Sequence, residues 1–134
     1  MNITVLKSTA KDMVADGKGI LAADESSKTI QKRFDKIGLE SNPDTNLAYR
    51  KILFTTPGIE NYLSGVILFD ETIRQSIDGI SVPKYLSNKG ILPGIKVDKG
   101  AIDLPNFPDE KITEGLDGLR ARFEEYSRMG AKFA

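Results

Sequence analysis

The sequence predicts an α/β fold built on a parallel sheet, and three observations carry that reading. Three short apolar runs share one form, opening near a glycine and closing on an acidic residue: Gly19 to Ala23 into Asp24, Gly65 to Phe69 into Asp70, and Leu92 to Val97 into Asp98. Runs of four or five apolar residues without alternation suit strands buried on both faces, as parallel strands are. The segments between them carry helical spacing and helix punctuation. Finally, no Gly-x-Gly-x-x-Gly turn follows the first run, which counts against a dinucleotide-binding sheet.

Taken in order, Ile3 to Ala15 predicts a helix, with Ile3, Leu6, Ala10, Met13 and Val14 as its apolar positions and Gly17 as its stop. Gly19 to Ala23 is the first strand. Ser27 to Ile37 is the next helix, with Ile30, Phe34 and Ile37 on one face and Gly38 just past its end. Asn42-Pro43 supplies an N-cap with proline at the first helical position. The helix it starts presents Leu47, Ile52 and Leu53 and ends at Pro57-Gly58. Gly65 to Phe69 is the second strand, Ser81 to Asn88 a short helix closed by Gly90, and Leu92 to Val97 the third strand. Thr113 and Glu114 open a last helix with Leu116, Leu119, Phe123 and Tyr126 as its stripe and Gly130 at its end. Ala131 to Ala134 reads as the start of a fourth strand. Strands alternating with helices give βαβ units, in a doubly wound sheet or a (β/α)8 barrel. A whole barrel takes about 250 residues, so residues 1–134 are expected to form one incomplete barrel domain.

Nineteen basic residues balance nineteen acidic ones, so no global field favours nucleic acid or an anionic membrane, and any anion needs a local site. Cysteine and histidine are both absent, which excludes thiolate chemistry, imidazole general bases and zinc sites built on either residue within these positions. Met1 to Asp12 mixes polar and apolar residues, unlike a signal peptide, and an intracellular protein is the simplest expectation.

If the sheet is a barrel, chemistry belongs at the carboxyl ends of its strands. That rule selects Asp24, Glu25, Ser26, Asp70, Glu71, Lys96, Asp98 and Lys99. Spacing alone leaves Asp24 and Asp70 open between a helix cap and a reactive group. Lys96 is more pointed, because a lysine between Ile95 and Val97 needs a partner, expected among carboxylates of neighbouring strands. A structural Lys–Asp pair is its other reading. Ser26, Ser27 and Thr29 at a helix start, with Lys32 and Arg33 one turn on, are the elements of a phosphate cradle, although hydroxyls there also serve as plain caps. Lys7, Lys11, Asp35, Lys36, Arg120, Arg122, Glu124 and Glu125 fall opposite apolar stripes and are read as solvated faces.

Five stretches in the right order resemble the class I fructose-1,6-bisphosphate aldolases: Asp16 to Ser26, Leu53 to Gly58, Gly65 to Phe69 with Glu71-Thr72, Gly90 to Gly100, and Gly115 to Leu119. The resemblance implies a (β/α)8 barrel enzyme of glycolysis and gluconeogenesis, an aldehyde-lyase. It would cleave fructose 1,6-bisphosphate to dihydroxyacetone phosphate and glyceraldehyde 3-phosphate through a lysine imine, with no metal and no cofactor. It implies that Asp24 assists proton transfers beside the imine, that Lys96 adds positive charge, and that Ser26, Thr29 and Arg33 hold a phosphate. A cytoplasmic homotetramer acting on a small sugar phosphate follows from it too, with no nucleic-acid or membrane partner. Ser27-Lys28-Thr29 and Asn46-Leu47 depart from the family pattern, the second where many members carry paired arginines. The imine-forming lysine has no counterpart among these residues, so by themselves they are expected to be inactive and to self-associate along open sheet edges. A non-catalytic phosphate-binding half-barrel is the alternative.

Overall fold

In the computed structural model, which describes residues 2–134, helix α1 (Ile3–Met13) precedes strand β1 (Gly19–Ala23) and helix α2 (Ser27–Phe34). Helix α3 (Pro43–Thr55) leads to strand β2 (Leu63–Leu68), the one-turn helix α4 (Asp70–Ile73) and two short strands, β3 (Ser76–Ile77) and β4 (Ile80–Ser81). Helix α5 (Val82–Asn88), strand β5 (Leu92–Ile95), strands β6 (Gly100–Leu104) and β7 (Phe107–Glu114), and helix α6 (Leu119–Met129) complete the order. Met1 lies outside the described residues.

The three predicted strands form one parallel sheet in the order β1-β2-β5, with Ala22 opposite Ile67 and Ile67 opposite Gly94. The predicted fourth strand starts as expected: Phe133 bridges Gly94 in parallel, Lys132 N–H donates to the Pro93 carbonyl at 2.8 Å, and Ile95 N–H to the Phe133 carbonyl at 3.1 Å. Burial on both faces holds for β2 and β5. It fails for β1, which has a neighbour on one side only and leaves Ile20 exposed. The core gathers Val66 and Leu68 of β2, Ile95 of β5, Phe54 of α3, Val82 and Leu86 of α5, and Tyr126 of α6. Helices laid against the sheet bury these side chains, and that apolar burial is the main favourable term in holding the layers together.

Several helix limits follow local rules. Asn42 caps α3 as predicted, its Oδ1 accepting from the N–H groups of Asp44 and Thr45 at 3.0 Å, and Thr45 Oγ1 accepts from the Asn42 N–H to close a capping box. The buried face of α3 differs from expectation: it is Asn46, Arg50 and Phe54, while Ile52 is exposed. Helix α2 stops at Phe34 and tightens into a 3-10 turn, which turns Ile37 out to solvent.

The larger corrections are two hairpins. Thr113 and Glu114 do not open a helix; they end β7, which pairs antiparallel with β6. Glycines at 115 and 118, both at positive φ, separate that strand from α6, and Leu116 in between is 84% exposed. The second hairpin, β3–β4, turns at Asp78-Gly79, both at positive φ, the pairing that two-residue hairpin turns require.

Candidate functional site

The exits of β1 and β5 open onto one cleft of about 850 Å³, lined by Asp24, Ser26, Thr29, Phe69, Lys96 and Asp98 among others. The first residues of β6, Gly100 and Ala101, close part of its rim. Four of the five predicted site residues therefore share a surface although 72 positions separate Asp24 from Lys96 (96 − 24). The parallel sheet is the reason, since it brings all strand ends to one side.

The alternative of a cap is settled differently for the two aspartates. Ser26, not Asp24, occupies the N-cap of α2, and its hydroxyl pairs with Thr29 Oγ1 at 3.2 Å instead of a backbone amide. The Asp24 carboxylate makes no hydrogen bond or ion pair to the described residues, so it faces the cleft uncommitted. Asp70 is fully engaged: Arg74 Nη2 donates to it at 2.8 Å and the Tyr126 hydroxyl at 2.8 Å, while Arg74 Nη1 reaches Glu125 at 2.6 Å. Asp70 thus fastens α4 to α6 and lies outside the cleft.

Lys96 sits just past the end of β5, its N–H donating to the Leu68 carbonyl at 2.9 Å, with its side chain 26% exposed. Its ammonium pairs with Asp98 from the same strand exit, not with a carboxylate of a neighbouring strand as expected. The hydrogen bond from Lys96 holds the Asp98 carboxyl below the usual carboxylate range, helped by the Gly100 N–H at 3.0 Å. The pair presents one ammonium to the cleft, and Ser26 and Thr29 present two hydroxyls. Positive charge and hydroxyl donors around a free carboxylate suit a phosphorylated polar ligand.

Arg33 departs from its predicted place. Its guanidinium lies 2.5 Å from Glu25 Oε1 and donates to Tyr49 Oη at 2.6 Å, so it braces α2 against α3 and does not line the cleft. Sequence reasoning missed what lies beneath: Arg50 is 0% exposed, with Nη2 donating to the Glu25 carbonyl at 2.6 Å and Nη1 3.5 Å from Glu71 Oε1. Burial pushes its pKa down, while Glu25, Glu71 and Asp24 oppose the fall. Asn46 accepts from the Ser41 hydroxyl at 2.8 Å and donates to Glu71 at 3.1 Å, so it serves this buried network and not a substrate. The only trace of this in the sequence was a polar face, Asn46 and Arg50, on a helix flanked by apolar strands. Arg122 was also misread as solvated: it is half-buried and donates to the carbonyls of Val97, at 2.8 Å, and Gly115.

The Asp70 cluster yields a pH prediction. Arg74, above all, lowers the Asp70 pKa, with Tyr126 assisting. A depressed native pKa gives stability that is present above the unfolded value, about 3.9, and is lost as pH falls through the native one. Thermal unfolding of Asp70→Asn and wild type should therefore differ at pH 7 and converge below about pH 4. A gap of constant size through that range would remove Asp70 as its source.

Comparison with known proteins agrees with this geometry. The sequence model described as fructose-bisphosphate aldolase class-I matches residues 5–134. The chain is 58% identical, over all of its length, to a probable fructose-bisphosphate aldolase class 1 of Xylella fastidiosa, and covers 40% of that protein. It is 52% identical over 96% of its length to fructose-bisphosphate aldolase 2 of Plasmodium berghei, covering 35% of it. A solved fructose-bisphosphate aldolase from Plasmodium falciparum superposes with a TM-score of 0.90 at 49% identity, over 96% of this chain and 37% of that one. The chain thus spans well under half the length of these relatives, and its sheet is the N-terminal part of a (β/α)8 barrel, three strands and the beginning of a fourth. A family match running from residue 5 to residue 134 places the chain in the class I fructose-bisphosphate aldolase family.

Proposed function

We propose that the protein to which these residues belong is a carbon–carbon lyase. It cleaves fructose 1,6-bisphosphate to dihydroxyacetone phosphate and glyceraldehyde 3-phosphate through a lysine imine. The observation that carries the reading is the cleft, where an uncommitted carboxylate on the β1 exit shares one surface with the Lys96 ammonium on the β5 exit. In this reading the imine-forming lysine stands on a later strand of the same barrel domain. As that imine draws electrons from the breaking C–C bond, a proton must leave the adjacent hydroxyl and return to carbon. In this reading Asp24 carries those transfers, and its position on the cleft wall supports the role. Lys96 attracts a substrate phosphate, tethered by Asp98 so that its charge stays at the cleft wall. Ser26 and Thr29 donate to a phosphate at the start of α2, where the helix amides also point. Arg33 joins such a cradle only by leaving Glu25 and Tyr49.

Family membership supports action on a sugar phosphate, within the cytoplasm and as a homo-oligomer, with a tetramer the expected form. No helix among the described residues is long and apolar enough to cross a membrane. The test is a coupled assay of fructose 1,6-bisphosphate cleavage by the whole protein, repeated after borohydride reduction in the presence of dihydroxyacetone phosphate. Cleavage that borohydride abolishes, with one ligand mass added per chain, is the expected result. Cleavage that survives borohydride and is abolished by a chelator would overturn the imine.

A further inference from the structure

We propose that Arg50 and Arg122 are positioning residues that lock the two walls of the cleft, each donating from a helix later in the chain to the main-chain carbonyl between two residues at a strand exit. Arg50, on α3, donates to the carbonyl of Glu25, which lies between Asp24 and Ser26. Arg122, on α6, donates to the carbonyl of Val97, which lies between Lys96 and Asp98. Each strand has ended at that point, so no neighbouring strand holds these carbonyls and the peptide planes are free to turn. A peptide that turns carries both flanking side chains with it. The guanidinium suits this task because its charge strengthens the hydrogen bond and its planar fork fixes direction.

Second contacts orient both arginines. Glu71 and Glu25 flank the fully buried Arg50. Arg122 Nη2 also holds the Gly115 carbonyl, tying the β7 end to the β5 exit. Gly115 fits there because it has no side chain: a Cβ would meet the Val97 oxygen at 2.9 Å. Arg50 keeps Nε and Nη1 without hydrogen-bond partners, a costly arrangement if packing were its whole purpose.

The inference rests on the aldolase reading, and its test separates the two. Arg50→Lys and Arg122→Lys keep the charge and remove the fork. In the whole protein, each is expected to lower kcat for fructose 1,6-bisphosphate on the order of tenfold to a hundredfold, the cost of a small misplacement of reacting groups. Circular dichroism should be unchanged. Amide exchange followed by mass spectrometry should accelerate across residues 23–27 in the first variant and 95–99 in the second, with little change elsewhere. Unchanged exchange at those exits would overturn the clamp, and so would unchanged kcat in an active protein. If the parent protein cleaves nothing while exchange accelerates as described, the aldolase reading fails and the clamp stands. Should Arg50→Lys fail to fold, Glu71→Gln replaces it. That variant leaves the guanidinium in place with one of its flanking carboxylates neutralised, and an unaltered exchange rate at residues 23–27 would then reject the proposal.

Discussion

Replacing Asp24 with asparagine in the whole protein is expected to cut kcat for fructose 1,6-bisphosphate cleavage by about a hundredfold to ten-thousandfold, the usual range for removing a general acid–base group. The substitution is nearly isosteric, and the carboxylate supports no hydrogen bond or ion pair among the described residues, so the thermal unfolding temperature should scarcely change. Borohydride trapping of dihydroxyacetone phosphate should survive, because the amine that forms the imine lies elsewhere. This separates loss of proton transfer from loss of binding. A variant with near-parental kcat would remove Asp24 from the chemistry. Asp70→Asn, by contrast, should leave kcat alone and lower stability, because Asp70 ties Arg74 and Tyr126 together outside the cleft. The two aspartates follow equivalent strands in the sequence, and the pair of variants tests whether their partners alone determine their roles.

Gly94→Val is expected to destabilise the fold by about 3 kcal/mol, the upper part of the range for overpacking a filled interior. Gly94 has no unusual φ, so the cost is steric rather than conformational. A Cβ there would collide with the ring of Phe133, and one on Gly65 would come within 3.0 Å of the same ring. Two glycines, on β2 and β5, form the floor on which the beginning fourth strand lays its aromatic side chain. Phe133→Ala should therefore rescue Gly94→Val in part, and the double variant should fall short of the summed losses in urea unfolding. Strict additivity would mean that the two positions do not meet.

The strand–helix order was legible in the sequence because it rests on local rules. The apolar runs at 65–69 and 92–97, the Asn42 cap with Pro43, and the glycine ends at 90 and 130 each act over a few residues, and each stands where it was predicted. The hairpins were not legible for two reasons. In β3–β4 the Asp78-Gly79 turn was present, but strands of two residues carry no periodicity to announce it. In β6–β7 every residue but Leu104 is exposed, so no buried face marks the strands. Strand-end logic placed Asp24, Ser26 and Lys96 on one cleft, because a parallel sheet collects its strand ends on one side, but it also selected Asp70, which lies outside that cleft.

What only the tertiary structure decided is which charges are committed. Asp24 and Asp70 look alike in sequence. Arg74, one turn further along its own helix, and Tyr126, brought by the packing of α6 against α4, engage one of them, while the other stays free of such partners in the cleft. Arg33 and Arg122 exchanged their expected roles for the same reason. A charged side chain takes the partner that folding brings within hydrogen-bond reach, and those partners lie 7 to 25 residues away in the chain. The sequence by itself determined the parallel strands, the helices between them and the side of the sheet where chemistry collects, but not the two hairpins. Long-range pairing determined which groups remain available for it.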